Sequence, residues 1–190
     1  MVRQKVGLPA YRQLGRTLSK LERDEEAVPY LEQAVQMGDE AADYYWLGAT
    51  LAALGRYKAA LPNLREAVLR RGWAWDHDWL AMVLLELGRR AESLPHLRRV
   101  VELRGEAEDH HLLGRTLAEL GRWEEALPSL EKVAAERGFD VDCHWAGRSL
   151  VELGRQYDAL PYLEQAVSLR GDGEDYYWLG RVLVRSTAPH

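Results

Sequence analysis

A glycine recurs every 33 residues along this chain, at Gly15, Gly48, Gly114, Gly147 and Gly180, and Ala81 fills the one missing rung. Self-similarity at a fixed period restricts a chain to architectures made of one repeated supersecondary unit, in which each unit completes its neighbour's core. Other residues keep the same period. A leucine stands three residues after each rung, at Leu18, Leu51, Leu84, Leu117, Leu150 and Leu183. Seven residues after the rung comes a glycine followed by Arg, at Gly55, Gly88, Gly121 and Gly154. A further glycine recurs at Gly72, Gly105, Gly138 and Gly171, and five of the seven prolines at Pro29, Pro62, Pro95, Pro128 and Pro161. The ladder predicts one array with units at 8–40, 41–73, 74–106, 107–139 and 140–172, a half unit at 173–186, and a tail at 187–190.

Each unit reads as two helices. Within residues 107–120, Leu112, Leu113, Leu117 and Leu120 recur at helical spacing. An aspartate opens this first helix in five units (Asp43, Asp76, Asp109, Asp142, Asp175), where a carboxylate accepts from free backbone N–H groups and meets the positive end of the helix dipole. Gly121 stops the helix by adopting the left-handed conformation of a C-cap. The second helix runs from about 124 to 136, with Ala126, Leu127, Leu130, Val133 and Ala134 as its apolar stripe. Pro128 falls in or just past its first turn, where a missing N–H costs little. Neither helix buries its stripe alone, so the units must stack. The expected fold is all-α, about 11 helices in five and a half repeats.

Composition narrows the function classes. The 190 residues are 47% hydrophobic and 29% charged, the balance of a folded, soluble chain. The formal net charge is −5, with 25 basic residues interleaved among 30 acidic ones, which argues against a nucleic-acid partner. No apolar run approaches the roughly 20 residues of a membrane span, and the first residues hold no signal-like apolar stretch. Cytoplasmic localisation is the expectation, with no membrane partner. The single cysteine, Cys143, excludes an internal disulfide and a cysteine-only zinc site.

The pattern resembles the tetratricopeptide repeat. The match is carried by Trp46-Leu47-Gly48, Leu51, Gly55, Tyr57, Ala60, Leu64 and Ala67, and in the fourth unit by Leu113-Gly114, Gly121-Arg122-Trp123, Glu125-Ala126-Leu127 and Leu130. It covers about residues 8 to 186. Two departures are a period one residue short of the family norm and a glycine where the family usually has an inter-repeat proline. The resemblance implies a right-handed α-solenoid whose first helices line a concave groove. It also implies a non-catalytic adaptor or scaffold that binds peptide or protein segments there.

In such repeats two rows of the first helix usually face the groove. One stands three before the rung: Arg12, Tyr45, Asp78, His111, His144 and Tyr177. The other stands one after it: Arg16, Ala49, Met82, Arg115, Arg148 and Arg181. A third row, two before the rung, often does so in part and holds Trp46, Trp79, Trp145 and Trp178. The candidate groove is therefore apolar in units two and three (Tyr45, Trp46, Trp75, Trp79, Met82) and cationic from unit four on (His111, Arg115, His144, Arg148, Tyr177, Arg181). Aromatic anchors and arginines dominate interface energetics, and guanidinium groups take carboxylates in bidentate hydrogen bonds. The expected ligand is a segment with acidic residues beside bulky apolar ones. Two alternatives stay open. Arg115 and Arg148 stand four before Glu119 and Glu152 and pair with them on the same helix, or the tryptophan row packs between helices. The lysine and asparagine set with which some family members clamp a terminal carboxylate is missing, so that specificity is not carried over.

The residues that best suit a metal are His110, His111, Cys143 and His144. Adjacent helix residues point about 100° apart, so only one of each pair reaches a shared site, too few ligands for a closed centre. His96 belongs to a second helix, on the convex side. Cys143 shares its row with Tyr44 and Tyr176 and reads as a small buried residue. No serine–histidine–acid arrangement or phosphate loop is present, so no enzyme activity, metal or cofactor is expected. Two further functional readings remain. One is self-assembly, with the last helix, which keeps Tyr176, Trp178 and Leu183, stacking on another copy around Leu14 and Leu18. The other is a sensor or docking segment of a larger signalling protein.

Overall fold

The computed structural model describes residues 7–186; the proposed tail at 187–190 lies outside them. Among the described residues there are eleven helices and no strand: α1 (Leu8–Lys20), α2 (Asp24–Met37), α3 (Ala41–Ala53), α4 (Tyr57–Arg70), α5 (Ala74–Glu86), α6 (Arg90–Leu103), α7 (Ala107–Glu119), α8 (Trp123–Arg137), α9 (Asp140–Glu152), α10 (Gln156–Leu169) and α11 (Gly173–Ser186). The fold is an all-α solenoid class of stacked helical hairpins, as the period predicts. The helices pack as two compact units divided between Leu103 and Arg104, with α1–α6 in the first and α7–α11 in the second.

In both units each first helix packs most closely on the second helix of its own repeat, and that second helix on the next first helix. The rung glycines explain the closeness. A Cβ built at Gly15, Gly48, Gly114 or Gly147 would stand 2.7 Å from the side chain of Leu31, Leu64, Leu130 or Leu163, sixteen residues on. Those four leucines are fully buried. A side chain at the rung would force the hairpin apart, so glycine there is a packing requirement.

The ends of the helices follow local chemistry. Gly121 has φ 73°, and the N–H groups of Gly121 and Arg122 donate to the carbonyls of Ala118 and Leu117 at 2.9 Å. This left-handed closure satisfies carbonyls the helix leaves open. In the first repeat the equivalent residue is Glu22, which takes φ 59° without being glycine. Each recurring proline is the sixth residue of its helix, one turn later than the best-tolerated position. All five are exposed, and each removes one donor from its helix.

The first unit is centred on Leu18, Leu31, Leu47, Leu51, Leu64, Leu80 and Leu84, with Trp46, Tyr57 and Trp79 packed against that cluster. The second unit centres on Leu127, Leu150, Leu163, Trp178 and Val182. Leu18 is buried, so of the two residues expected to receive another copy only Leu14 is exposed.

Candidate functional site

The recurring aspartate is the third residue of the first helix, and it is buried in every repeat that has it. Asp76 accepts from the Trp73 backbone N–H at 2.9 Å and Asp109 from that of Glu106 at 3.0 Å. This is the capping role expected. The sequence reading missed the second role, a charge clamp. Arg71, Arg104 and Arg170, each five residues earlier, form two hydrogen bonds to Asp76, Asp109 and Asp175, and Arg137 does so to Asp142 at 3.1 Å. A legible signal existed, because these arginines keep the 33-residue period. Burial pushes the Asp175 carboxyl up, but hydrogen bonds from Arg170 and His144 outweigh it and hold the group below the usual carboxylate range. The same competition, with Arg104 and the Glu106 N–H winning, lowers Asp109.

This clamp corrects the placement of the two histidines. His144 Nδ1 lies 2.7 Å from Asp175 Oδ1 and the residue is 3% exposed. It is packed between α9 and α11 and presents no ligand-facing surface. His111 makes the same contact with Asp142, at 2.5 Å. Of the residues three before the rung, Arg12, His111 and His144 thus meet the next repeat's aspartate. The histidines do not converge on a common point. Among the described residues no group of three or more His, Cys, Asp and Glu is placed to hold a metal ion. Cys143 is buried, and desolvation pushes its thiol up to about 11, away from thiolate chemistry. His110 bonds Ser129 at 3.2 Å and Lys132 at 2.9 Å.

The remaining candidates divide between the two units. In the first, Trp75 and Met82 are exposed, and Tyr45, Trp46 and Trp79 are half-buried. Trp46 sits edge-on to Tyr45 at 5.5 Å and under the Lys20 ammonium at 5.6 Å. Arg71 lies over Tyr45 at 5.4 Å, and burial raises the Tyr45 phenol. Ala52, Ala53, Tyr57, Trp79, Met82, Val83 and Glu86 enclose a cleft of about 160 Å³. Small-molecule sites run to roughly 300–1,000 Å³, so this cleft suits one apolar side chain.

In the second unit Tyr177 is exposed and edge-on to Trp178 at 5.3 Å. Arg115 Nε lies 3.5 Å from Glu119, the same-helix pairing that the spacing left open. Arg181 pairs with Glu152 at 3.0 Å and lies over Trp178 at 4.5 Å. Arg148 lies over Trp145 and Trp178, both at 5.0 Å, and over Trp123 at 5.7 Å. The tryptophan row is thus mixed: Trp178 is core, and Trp145 is half-buried beneath an arginine.

Sequence models of the tetratricopeptide repeat match residues 10–41, 44–71, 80–141 and 143–172, more than three quarters of the chain. The chain belongs to the tetratricopeptide repeat family. No curated protein sequence matches it significantly. Among solved structures it is similar to YrrB, described as a tetratricopeptide repeat protein with an unusual peptide-binding site, with TM-score 0.79, 24% identity, and coverage of 94% of this chain and 91% of that one. It is also similar to MamA AMB-1, with TM-score 0.79, 22% identity and coverage of 87% and 92%. For MamA from Desulfovibrio magneticus RS-1 the values are 0.73, 20%, 85% and 94%. At these identities the likeness is one of fold. Within the described residues no helix is long and apolar enough to cross a membrane.

Proposed function

We propose that this tetratricopeptide repeat protein is a non-catalytic protein-interaction scaffold whose first-helix faces bind a peptide segment carrying bulky apolar and acidic residues. The observation that carries the reading is the cleft at Trp79 and Met82. Its walls are mostly apolar, with Glu86 at one side, it is sized for one side chain, and Met82 stands 42% exposed at its edge. An exposed methionine beside a half-buried tryptophan is the adaptable, desolvated setting in which interface anchors form. The peptide-binding site ascribed to YrrB, on the same fold, agrees with this reading.

A peptide-display selection on the immobilised protein, with Met82→Glu and Trp79→Ala variants as counter-targets, tests it. The expected result is enrichment of sequences with a bulky apolar residue that neither variant retains. Equal enrichment on the variants sinks the cleft as the binding site.

One observation favours self-assembly as a second reading. The Gly180 slot is empty where the other rung glycines are filled by a leucine, and Tyr176, Tyr177, Leu183 and Val184 stand exposed around it. A light-scattering mass of one chain at high concentration removes that reading; a concentration-dependent multiple sustains it.

A further inference from the structure

Arginines occupy the position one after the rung in four repeats, and three of them face a carboxylate. Arg16 lies 3.2 Å from Asp43, Arg115 3.5 Å from Glu119 and Arg181 3.0 Å from Glu152. Arg148 alone in this row has no acidic partner among the described residues. Its natural same-helix acid is Glu152, four residues on, and Arg181 has taken it. What Arg148 has instead is aromatic surface: its guanidinium lies over the rings of Trp145, Trp178 and Trp123. Its Nε–H is buried with no acceptor, as are those of Arg16 and Arg115.

Five N–H donors in a fixed fork are normally satisfied by carboxylates or water. Stacking on indole faces orients the group and strips part of its hydration, which is favourable for arginine because it is weakly hydrated and attracted to the ring quadrupole. An oriented, partly desolvated guanidinium binds a planar carboxylate in two parallel hydrogen bonds, roughly twice as strong as neutral ones.

We propose that Arg148, held on Trp123, Trp145 and Trp178, is the receptor for a carboxylate of the bound peptide. This rests on the scaffold reading above and deepens it, because it assigns the acidic preference to one residue. Arg115 and Arg181, which the sequence placed beside it, each already face a glutamate of this chain. The indole faces favour apolar side chains flanking the acid in the ligand. A side-chain carboxylate and a chain-terminal one share this chemistry.

The test uses the full chain, labelled for detection of the arginine Nε–H, tryptophan indole N–H and methionine methyl signals by NMR. Three peptides are titrated to millimolar concentration: acetyl-Leu-Glu-Leu-amide, acetyl-Leu-Gln-Leu-amide, and acetyl-Leu-Gln-Leu with a free C-terminus. The expected result is movement of the Arg148, Trp145 and Trp178 signals by a carboxylate-bearing peptide. The amidated glutamine peptide should bind at least about tenfold more weakly, in line with the loss of one charge-assisted pair. If the glutamate peptide binds, the source is a side chain; if the free-terminus peptide binds, it is a chain end. Arg148→Gln should abolish the discrimination. Arg148→Lys should keep the charge but recover only part of it, because the fork is lost. A melting temperature measured beside each variant separates lost binding from lost folding.

Equal movement of the Arg148 signal by all three peptides, or none by any, overturns the proposal. Movement of the Trp79 indole and Met82 methyl signals by the glutamine peptide, with Arg148 silent, would leave the scaffold reading standing and remove only the carboxylate receptor.

Discussion

Arg12 reaches across 31 residues to Asp43, placing its Nη2 2.6 Å from a carboxylate oxygen and its Nε 2.8 Å from the other. In four later repeats the arginine that meets this buried aspartate comes from five residues upstream. Here that position is Gly38, and a Cβ on it would stand 2.7 Å from the Arg12 guanidinium. The missing arginine and the long-range one are two halves of a single exchange. It makes Arg12 a repeat-to-repeat fastener where its counterparts at Arg71 and Arg104 are local.

Arg12→Ala should therefore cost about 2–3 kcal/mol, because it leaves the buried Asp43 with Arg16 as its remaining cation. Denaturant titration reads this as a lower midpoint. An unchanged midpoint would mean that Arg16 alone satisfies the carboxylate.

Glu22 holds a left-handed backbone at the turn where four other repeats have glycine. Left-handed geometry costs an L-residue about 1–2 kcal/mol, partly offset by the freer unfolded chain of glycine. Glu22→Gly should raise stability by up to about 1 kcal/mol. A drop in melting temperature would show that the Glu22 side chain compensates for its backbone.

The rung glycines separate packing from propensity. Gly147→Ala drives a Cβ into Leu163 and should cost about 1–3 kcal/mol. Gly180 has nothing within 4 Å of the same point. Gly180→Ala should stabilise α11 by up to about 1 kcal/mol through helix propensity alone. Opposite signs at two positions of one ladder are the expected reading in thermal melts.

Acid should weaken the protein in two stages. His77 Nδ1 faces His96 Nδ1 at 3.0 Å across α5 and α6. Desolvation, the neighbouring imidazole and Arg65 push His96 down to about 4, and desolvation with Arg99 lowers His77 against the opposing pull of Asp76. With folded values below the unfolded one, the unfolded chain binds more protons, so stability is full above about pH 6.5 and falls as pH drops towards 4. The loss is about 1–2 kcal/mol after discounting for solvent screening. Asp109 and Asp175, also lowered, hold their contribution above the ordinary carboxylate range and lose it only as pH falls further. His96→Gln should shrink the first stage to the His77 share and leave the second unchanged in a pH series of melts.

The helical hairpins were legible because glycine, proline and leucine fix local geometry wherever they stand, and a 33-residue period repeats that information. The division at Leu103 and Arg104 was not, since the period runs through it unbroken. The site was legible only in part. A row of residues defines a helix face, and Met82 and Tyr177 are exposed as a face predicts. Whether a polar side chain on that face is spent internally depends on what the next repeat offers it. His144 was consumed by Asp175, and Arg181 by a glutamate 29 residues back. Such pairings follow from helix stacking, which no single helix encodes.

On the proposed function, ligands are read on the first helices. Chemical-shift mapping of the labelled protein with a display-selected peptide tests it most directly. The Trp79 indole and the Met82 methyl should move first and furthest. Shifts confined to the second helices, at Leu69 or Tyr157, would contradict it.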